Sequence, residues 1–332
     1  IPDLDISRLA NALNSFGSDS GPWFMPGVTA EVVERDELLD VIEDGWRMLN
    51  HELTEAVEYV ETVFRYNPNF KMLSEYGFPM KRGSAGNYGG SDILFFDSRE
   101  DLYEKFKNKG VKLCAGMRNA KLSHMDIGSG DSAFLDVSIN ETWLVEEIID
   151  AYNALPVRAG KQKRKIKGKN EWMKILYKES KSGFLGGSVL IPRGIRTTGR
   201  VYFSRNPVFV STNFVVCTLF DETKAVLLAT WMSTIFYQLI CEVSSKDQEG
   251  MRKMEVMDIG YTFVPNLDIL SKEVTESLKE EAQRIAFLDL NDPQIRKVDR
   301  IWAGEMFGDR ADEVLNRALR LLGYLVNRRN PG

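Results

Sequence analysis

The centre of the chain reads Val189-Leu190-Ile191-Pro192-Arg193-Gly194-Ile195-Arg196, an apolar run that a proline and a glycine interrupt. Further short apolar runs follow at 201–203, 208–211 and 214–219, separated by polar residues and proline. Short runs rich in β-branched and aromatic residues predict strands, and the residues between them predict turns. We therefore expect several short strands in this region, the first of them over 184–191.

Helical patterns lie on both sides of these strands. Apolar residues recur with a period near 3.6 over 31–64, and helical patterns return at 271–287, 294–306 and 311–327. Strands and helices do not alternate as a doubly wound sheet requires. We predict an α+β fold, in which a mixed α/β central domain with short strands is flanked by helical N- and C-terminal segments.

The expected boundaries divide the 332 residues into an acidic helical segment over 1–66, the mixed α/β region over 67–266 and a C-terminal helical segment over 267–332. Two finer predictions concern the middle region: one long helix over 221–241 and a strand over 254–261. The chain begins with isoleucine rather than methionine, and we interpret it as a fragment of a longer protein or a processed product.

Composition excludes several classes of protein. No apolar run reaches the roughly 18 residues that a membrane-spanning helix needs. The cysteines Cys114, Cys217 and Cys241 lie far apart without C-x-x-C spacing, which argues against a disulfide framework or a zinc cluster. We expect a protein of the reducing cytoplasm, with no metal and no membrane partner.

Charge is distributed unevenly along the chain. Residues 158–200 contain thirteen Lys or Arg and two Glu, a net charge of +11, so the rest of the chain carries −16 of the total of −5. A basic segment on an acidic protein can direct a polyanion to one face. A solvated lysine-rich loop without a partner is the alternative, and the charge alone does not decide between them.

A second basic stretch, over 81–90, is rich in glycine. Glycines let a backbone approach a ligand closely. Arg82 and Asn87 offer bidentate hydrogen bonds and Tyr88 offers a ring on which a base can stack. An ordinary flexible loop is the alternative interpretation.

The segment Asp126-Ile127-Gly128-Ser129-Gly130-Asp131 looks like the glycine-rich S-adenosylmethionine loop of methyltransferases. Such a loop follows a buried strand and opens a helix. Residues 121–125 make a poor buried strand, and 134–139 alternate as a strand does. We therefore predict a turn between strands, in which the glycines supply positive φ.

The 189–196 run opens an ordered series of motifs, which continues with Arg200-Val201-Tyr202-Phe203-Ser204, Pro207-Val208-Phe209-Val210-Ser211-Thr212-Asn213-Phe214, Ala225-Val226-Leu227-Leu228-Ala229-Thr230-Trp231-Met232-Ser233-Thr234, Met251-Arg252-Lys253-Met254-Glu255-Val256 and Val264-Pro265-Asn266-Leu267. This order resembles the C-terminal target-recognition region of bacterial and archaeal DNA N6-adenine methyltransferases of the restriction-modification type. The chain departs from that family at Met232, in a helix that lacks the family's asparagine, and at Asn266.

The resemblance covers about residues 72–310. It implies that 67–266 is a DNA-binding target-recognition region, which holds duplex DNA while an adenine is flipped into a separate catalytic domain. That methyltransferase domain would precede Ile1 in the parent chain and would bind S-adenosylmethionine. This chain alone would then have no catalytic, cofactor-binding or metal-binding residues and would catalyse nothing.

Two groups of residues are candidates for DNA contact. Mobile phosphate contacts would come from Lys163, Arg164, Lys165, Lys167 and Lys169. More fixed contacts, suited to phosphate or guanine edges, would come from Arg82, Asn87, Arg193, Arg196 and Arg200, and Lys81 and Tyr88 are further candidates for DNA contact. Trp172, Trp231 and Phe214 have the spacing of core residues.

Two alternative functions remain open from the sequence. The chain could be a self-contained methyltransferase that binds S-adenosylmethionine at Gly128 and Gly130. It could instead be a protein-interaction subunit of a restriction-modification complex, in which the acidic helix over 31–64 and the C-terminal helices dock on a partner.

Overall fold

The computed structural model describes residues 23–25, 28–30, 51–83, 95–96, 101–108, 113–128, 130–135, 142–154, 166–172, 174, 183–184, 186–248 and 251–329. Contacts divide the chain into two units, Ile1–Glu55 and Ala56–Gly332. The described part of the first unit holds a small antiparallel strand pair and the start of a helix. Residues 31–50 of the predicted N-terminal helix lie outside the described residues.

The strands are β1 (Trp23–Met25), β2 (Val28–Ala30), β3 (Phe70–Met72), β4 (Met80–Arg82), β5 (Phe95–Phe96), β6 (Leu113–Met117), β7 (Ser132–Leu135), β8 (Gly183–Phe184), β9 (Ser188–Pro192), β10 (Gly194–Ile195), β11 (Thr198–Gly199), β12 (Tyr202–Ser204), β13 (Val208–Val210), β14 (Phe214–Thr218), β15 (Lys246–Gln248), β16 (Met251–Lys253), β17 (Phe263–Pro265) and β18 (Leu288–Asp289). The helices are α1 (His51–Val60), α2 (Asp101–Asn108), α3 (Thr142–Ala154), α4 (Glu222–Met232), α5 (Ile235–Ser244), α6 (Val256–Gly260), α7 (Lys272–Ala282), α8 (Lys297–Phe307) and α9 (Ala311–Arg329).

The central sheet has four antiparallel strands in the order β12, β9, β14, β4. Every residue of β9 and β14 is buried, which explains why their sequences are continuous apolar runs rather than alternating ones. The predicted strand over 184–191 is in fact two strands, β8 and β9. The paired glycines separate them, and Gly187 has a φ of 72°, outside the extended region of a strand.

A second sheet has five strands in the order β5, β7, β6, β13, β8. The strand β13 is parallel to β6, and the other pairs are antiparallel. The 126–131 segment precedes strand β7, not a helix, which confirms the predicted turn. Gly130 has a φ of 87°, and a Cβ there would lie 2.1 Å from the carbonyl oxygen of Gly116. Glycine at this position therefore serves close backbone packing.

Three smaller sheets complete the described unit. The first has the order β10, β16, β15, the second pairs β11 with β18, and the third pairs β17 with β3. Each joins segments that lie far apart in sequence, so the region that contains Arg193 to Arg200 is tied to the C-terminal third of the chain. The described residues thus confirm a mixed fold of helices and small sheets with a helical C-terminus.

The aromatic core forms where the helices meet β3 and β17. Trp231 lies against Phe64, Phe70 and Trp302, with ring centroids 5.3–6.0 Å apart. Its indole Nε1 donates to the carbonyl of Phe263 at 3.1 Å. The predicted burial of Trp172, Trp231 and Phe214 is confirmed, since all three are fully buried.

The prediction of one long helix over 221–241 is wrong. The segment forms α4 and α5, which are bent by 69° at Ser233 and Thr234. The hydroxyl of Thr234 accepts from the backbone N–H of Tyr237, and the buried carboxylate of Asp299 accepts from that of Ile235 at 2.9 Å. A threonine that satisfies free N–H groups begins a new helix at this position.

The prediction of a strand over 254–261 is also wrong. The strand β16 ends at Lys253, and the helix α6 follows it, with Glu255 as its N-cap residue. The Asp258 carboxylate accepts from the Glu255 backbone N–H at 2.8 Å. This contact satisfies a group that would otherwise lack a partner at the helix start.

Among the described residues, no single helix has the length and hydropathy to cross a bilayer. The bent pair α4 and α5 passes that test only when both helices are taken together, and most of its residues are buried in the core.

Candidate nucleic-acid interface

Two of the predicted arginines meet at one end of the central sheet. Val215 of β14 pairs with Arg82, and Phe214 pairs with Pro192, so Arg82 and Arg193 reach the same end from two different strands. Both guanidinium groups donate to the carbonyl oxygen of Thr212, from Arg82 Nε at 3.3 Å and from Arg193 Nη1 at 3.0 Å. The register of the sheet thus brings together residues that are more than 100 positions apart.

An acidic residue and a lysine complete this group. Arg193 Nη2 donates to Oε1 of Glu255, and Lys253 Nζ lies 4.0 Å from the same oxygen. The hydrogen bond from Arg193 holds the pKa of Glu255 below its usual range, with smaller contributions from the charges of Arg193, Arg82 and Lys253. We call Arg82, Arg193, Lys253 and Glu255 the basic rim; its net charge is +2.

The loop at 211–213, beside the basic rim, is held from several sides. The Ser211 hydroxyl and the Asn213 side-chain amide donate to the carbonyl of Arg118, at 2.7 and 2.9 Å. A Cβ on Gly83 would lie 2.1 Å from the carbonyl oxygen of Ser211. Glycine at position 83 is therefore required for the strand end to pack against this loop.

The carboxylate of Asp131 fixes the strand end that carries Arg118. It accepts from the backbone N–H groups of Arg118 and Asn119, at 2.7 and 2.8 Å. Burial raises the pKa of Asp131, and these hydrogen bonds oppose that rise. The support beneath the loop is therefore a set of fixed backbone contacts.

The other two predicted arginines of this region have different surroundings. Arg200 donates to the carbonyl of Ala120, and its guanidinium lies 6.0 Å from the ring centroid of Phe287. The Arg200 guanidinium therefore contacts other parts of the same chain. Arg196 is exposed, and its backbone carbonyl accepts from Arg329 Nη1 at 3.0 Å.

A buried ion cluster lies beneath Arg196. Glu242 accepts from Arg329 Nη2 at 2.7 Å and from Arg252 Nε at 2.6 Å, and its side chain is only 2% exposed. Arg329 belongs to the last turn of α9 and Arg252 to β16, which pairs with β10. The end of the C-terminal helix therefore supports the strand that leads to Arg196.

The lysine-rich segment is described only from residue 166 onwards. Asn153 of α3 holds buried Ile166 through two side-chain hydrogen bonds to its backbone, at 3.1 and 3.2 Å. Lys167 and Lys169 follow and are exposed, as is Lys81 on the edge strand β4. The remaining predicted contacts lie outside the described residues: Asn87, Tyr88, Lys163, Arg164 and Lys165.

The sequence analysis missed Lys253 and Glu255 as members of this surface, together with two exposed residues, Met257 of α6 and its C-cap residue Tyr261. The available signal was the acidic pair Glu255 and Asp258, three residues apart, which is typical of a helix start. Among the described residues, no group of three or more His, Cys, Asp or Glu side chains is placed to hold a metal ion.

A family model described as the specificity domain of the restriction endonuclease BpuSI matches residues 81–295, which is well over half of the chain. The match includes β4, the central sheet, the loop at 211–213 and α6. No curated protein sequence matches the chain.

One solved structure agrees with the family model. The chain is similar to the type IIG restriction endonuclease BpuSI, with a TM-score of 0.74 and 29% identity over 98% of this chain and 39% of that one. This chain thus spans about two-fifths of the length of that relative. A match to the type IIL restriction-modification enzyme MmeI in complex with DNA has a TM-score of 0.35 and 10% identity, over 81% of this chain and 34% of that one.

Proposed function

This chain belongs to the family of specificity domains represented by the restriction endonuclease BpuSI, and from that premise we propose that its basic rim and the exposed bases near it grip duplex DNA. The chain is a DNA target-recognition module of a restriction-modification enzyme. The observation that carries the proposal for the rim is the convergence of Arg82 and Arg193 on the Thr212 carbonyl, with Lys253 beside Glu255, the acidic partner of Arg193.

The residues proposed to contact DNA differ in how firmly the protein holds their side chains. Arg82 and Arg193 are fixed by the Thr212 carbonyl, so they lose little side-chain entropy when they meet a phosphate. Lys81, Lys167, Lys169 and the bases at 163–165 supply salt-dependent attraction to the backbone. Arg196, together with Asn87 and Tyr88, is suited to reading base edges. Arg200 contributes indirectly to DNA binding, because its hydrogen bond to the carbonyl of Ala120 holds its segment of the chain in place.

The parent enzyme supplies the chemistry. Adenine-N6 methylation by a separate S-adenosylmethionine-dependent domain, preceding this chain, would need the target base flipped out of the duplex. The region over 67–266 would then bind the duplex, with 1–66 and 267–332 as helical flanks. The setting is the bacterial or archaeal cytoplasm, and double-stranded DNA and the catalytic domain are the partners.

The test begins with the whole 332-residue chain and a pool of duplexes with a randomised centre. Repeated selection is expected to enrich one sequence, because a specificity domain reads base edges. Fluorescence anisotropy with the enriched duplex is then expected to show binding at about 50 mM salt that weakens strongly at about 200 mM. Absence of both enrichment and low-salt binding would contradict the proposal.

A further inference from the structure

The short helix α6 and its C-cap residue, Tyr261, expose two apolar side chains on one side. Met257 is 68% exposed and Tyr261 is 56% exposed. They are four positions apart, at the spacing that places side chains next to each other along a helix. Large apolar side chains that remain outside the core and lie together point to a binding surface.

The support beneath this pair is rigid. Met254 and Ile259 are fully buried, and the Met254 backbone N–H donates to the carbonyl of Arg193 at 2.9 Å. A Cβ on Gly260 would lie 3.3 Å from the side chain of Met80 on β4. Tyr261 and Met257 are therefore presented from a helix that is fixed at both ends.

The same face carries the basic rim. Successive residues of a strand point to opposite faces, so Arg82 shares with Met80 the face of β4 on which α6 packs. Glu255, the N-cap of α6, is the acid that Arg193 and Lys253 surround. The two exposed apolar side chains thus lie next to the positive charge that we assign to phosphate binding.

The acidic residues near α6 are engaged in local contacts. Asp258 accepts from the backbone N–H of Glu255 at 2.8 Å, and Glu75 accepts from that of Met72 at 2.8 Å. These contacts fix both carboxylates against the backbone but leave their negative charge, which offsets part of the attraction that the rim exerts on a polyanion.

Another exposed aromatic, Phe220, provides an internal contrast. It is 65% exposed and has a positive φ of 58°. Its neighbours along the chain are Asp221 and Glu222, and the nearby Arg205 is paired with Glu222 and with Asp126. This surface is acidic, so it does not suit a nucleic acid, whereas α6 lies beside the three bases of the basic rim.

We infer that Tyr261 and Met257 enter the groove of the bound duplex and contact its bases, while the basic rim holds the adjacent phosphates. A tyrosine ring can stack on a base where a step of the duplex is unstacked, and a methionine can wedge between base steps. This inference rests on the proposed function and adds two specificity-determining residues to it.

The experiment uses the enriched duplex, with 2-aminopurine placed in turn at its central positions. Tyr261→Ala is expected to weaken binding roughly 5- to 150-fold, since base stacking on an aromatic side chain accounts for an effect of that size. Met257→Ala is expected to weaken binding less. Both variants should keep the wild-type salt slope, because no phosphate contact is lost, and Tyr261→Ala should reduce the 2-aminopurine signal change at one position.

Two controls make the result specific. Tyr66→Ala removes another exposed tyrosine, which is 77% exposed and follows the π-helical turn Glu61–Arg65 after α1, and should bind DNA as the wild type does. Tyr261→Phe keeps the ring and should retain most of the affinity. Thermal unfolding of each variant should match the wild type, because all these side chains are exposed.

The outcomes separate the two proposals. If Tyr261→Ala and Met257→Ala bind like the wild type while Arg82→Gln/Lys253→Gln weakens binding, the inference on α6 is overturned and the proposed function stands. If the wild-type chain binds no duplex at low salt, the proposed function fails, and with it the role of α6.

Discussion

Two clusters combine arginine with glutamate, the buried ion cluster and the basic rim, and they differ in burial. In the buried ion cluster, Glu242 is 2% exposed and lies between Arg329 and Arg252. In the basic rim, Glu255 is 47% exposed and takes one hydrogen bond from Arg193. The same chemistry therefore has two consequences: the buried cluster holds the fold, and the rim leaves positive charge available at the surface.

The largest effect is expected in the buried cluster. Glu242→Ala removes the buried carboxylate that two guanidinium groups share, so the free energy of unfolding should fall by about 3–5 kcal/mol. Chemical denaturation measures this loss. Glu280→Ala, which removes an exposed partner of Arg284, should change it by less than about 1 kcal/mol. Equal losses in the two variants would remove the distinction between the buried cluster and the surface.

A variant at Arg196 tests the surface that the buried cluster supports. The backbone of Arg196 is held by Arg329, but its side chain is exposed. Arg196→Ala should therefore leave unfolding unchanged, weaken binding of the enriched duplex by about 1–3 kcal/mol and relax the preference at one base pair. Repeating the selection with this variant measures the preference. An unchanged base preference together with an unchanged affinity would exclude Arg196 from base reading. Arg300→Ala, which removes another exposed arginine, is the matched control.

The smallest effect is expected at Glu255. Because its pKa is lowered in the fold, it contributes stability above its usual pKa of 4.5, and that contribution is lost as the pH falls through the lower folded value. The carboxylate is half exposed, so Glu255→Gln should cost at most about 1 kcal/mol near neutral pH. The gap between wild type and variant should close in acid, which denaturation at a series of pH values will show. A gap that widens in acid would contradict the assignment.

The sequence was informative where local pattern decides the structure. The apolar runs after residue 188 are strands, the C-terminal helices lie close to their expected positions, and Trp231 is in the core. The errors at 221–241 and 254–261 have one cause: polar side chains, such as that of Thr234, begin helices within sequences whose apolar pattern is continuous. Periodicity does not report such capping contacts.

The candidate site was harder to predict, because its members come from strands that are distant in sequence. Arg82 and Arg193 were singled out by residue type, but only the register of β4, β14 and β9 brings both to Thr212. Lys253 and Tyr261 were missed because they flank α6, a helix that the sequence analysis did not predict. The DNA contacts themselves, including those assigned to residues outside the described ranges, stay predictions.

The salt dependence of binding tests the central claim most directly. With the enriched duplex, the slope of log K against log salt should be shallower by about 1.8 in Arg82→Gln/Lys253→Gln than in the wild type, since each phosphate contact contributes about 0.9. Arg284→Gln/Arg300→Gln removes the same charge from exposed positions near the C-terminal helices and should leave the slope unchanged. Equal slopes in the rim variant and the wild type would contradict a basic rim that grips DNA.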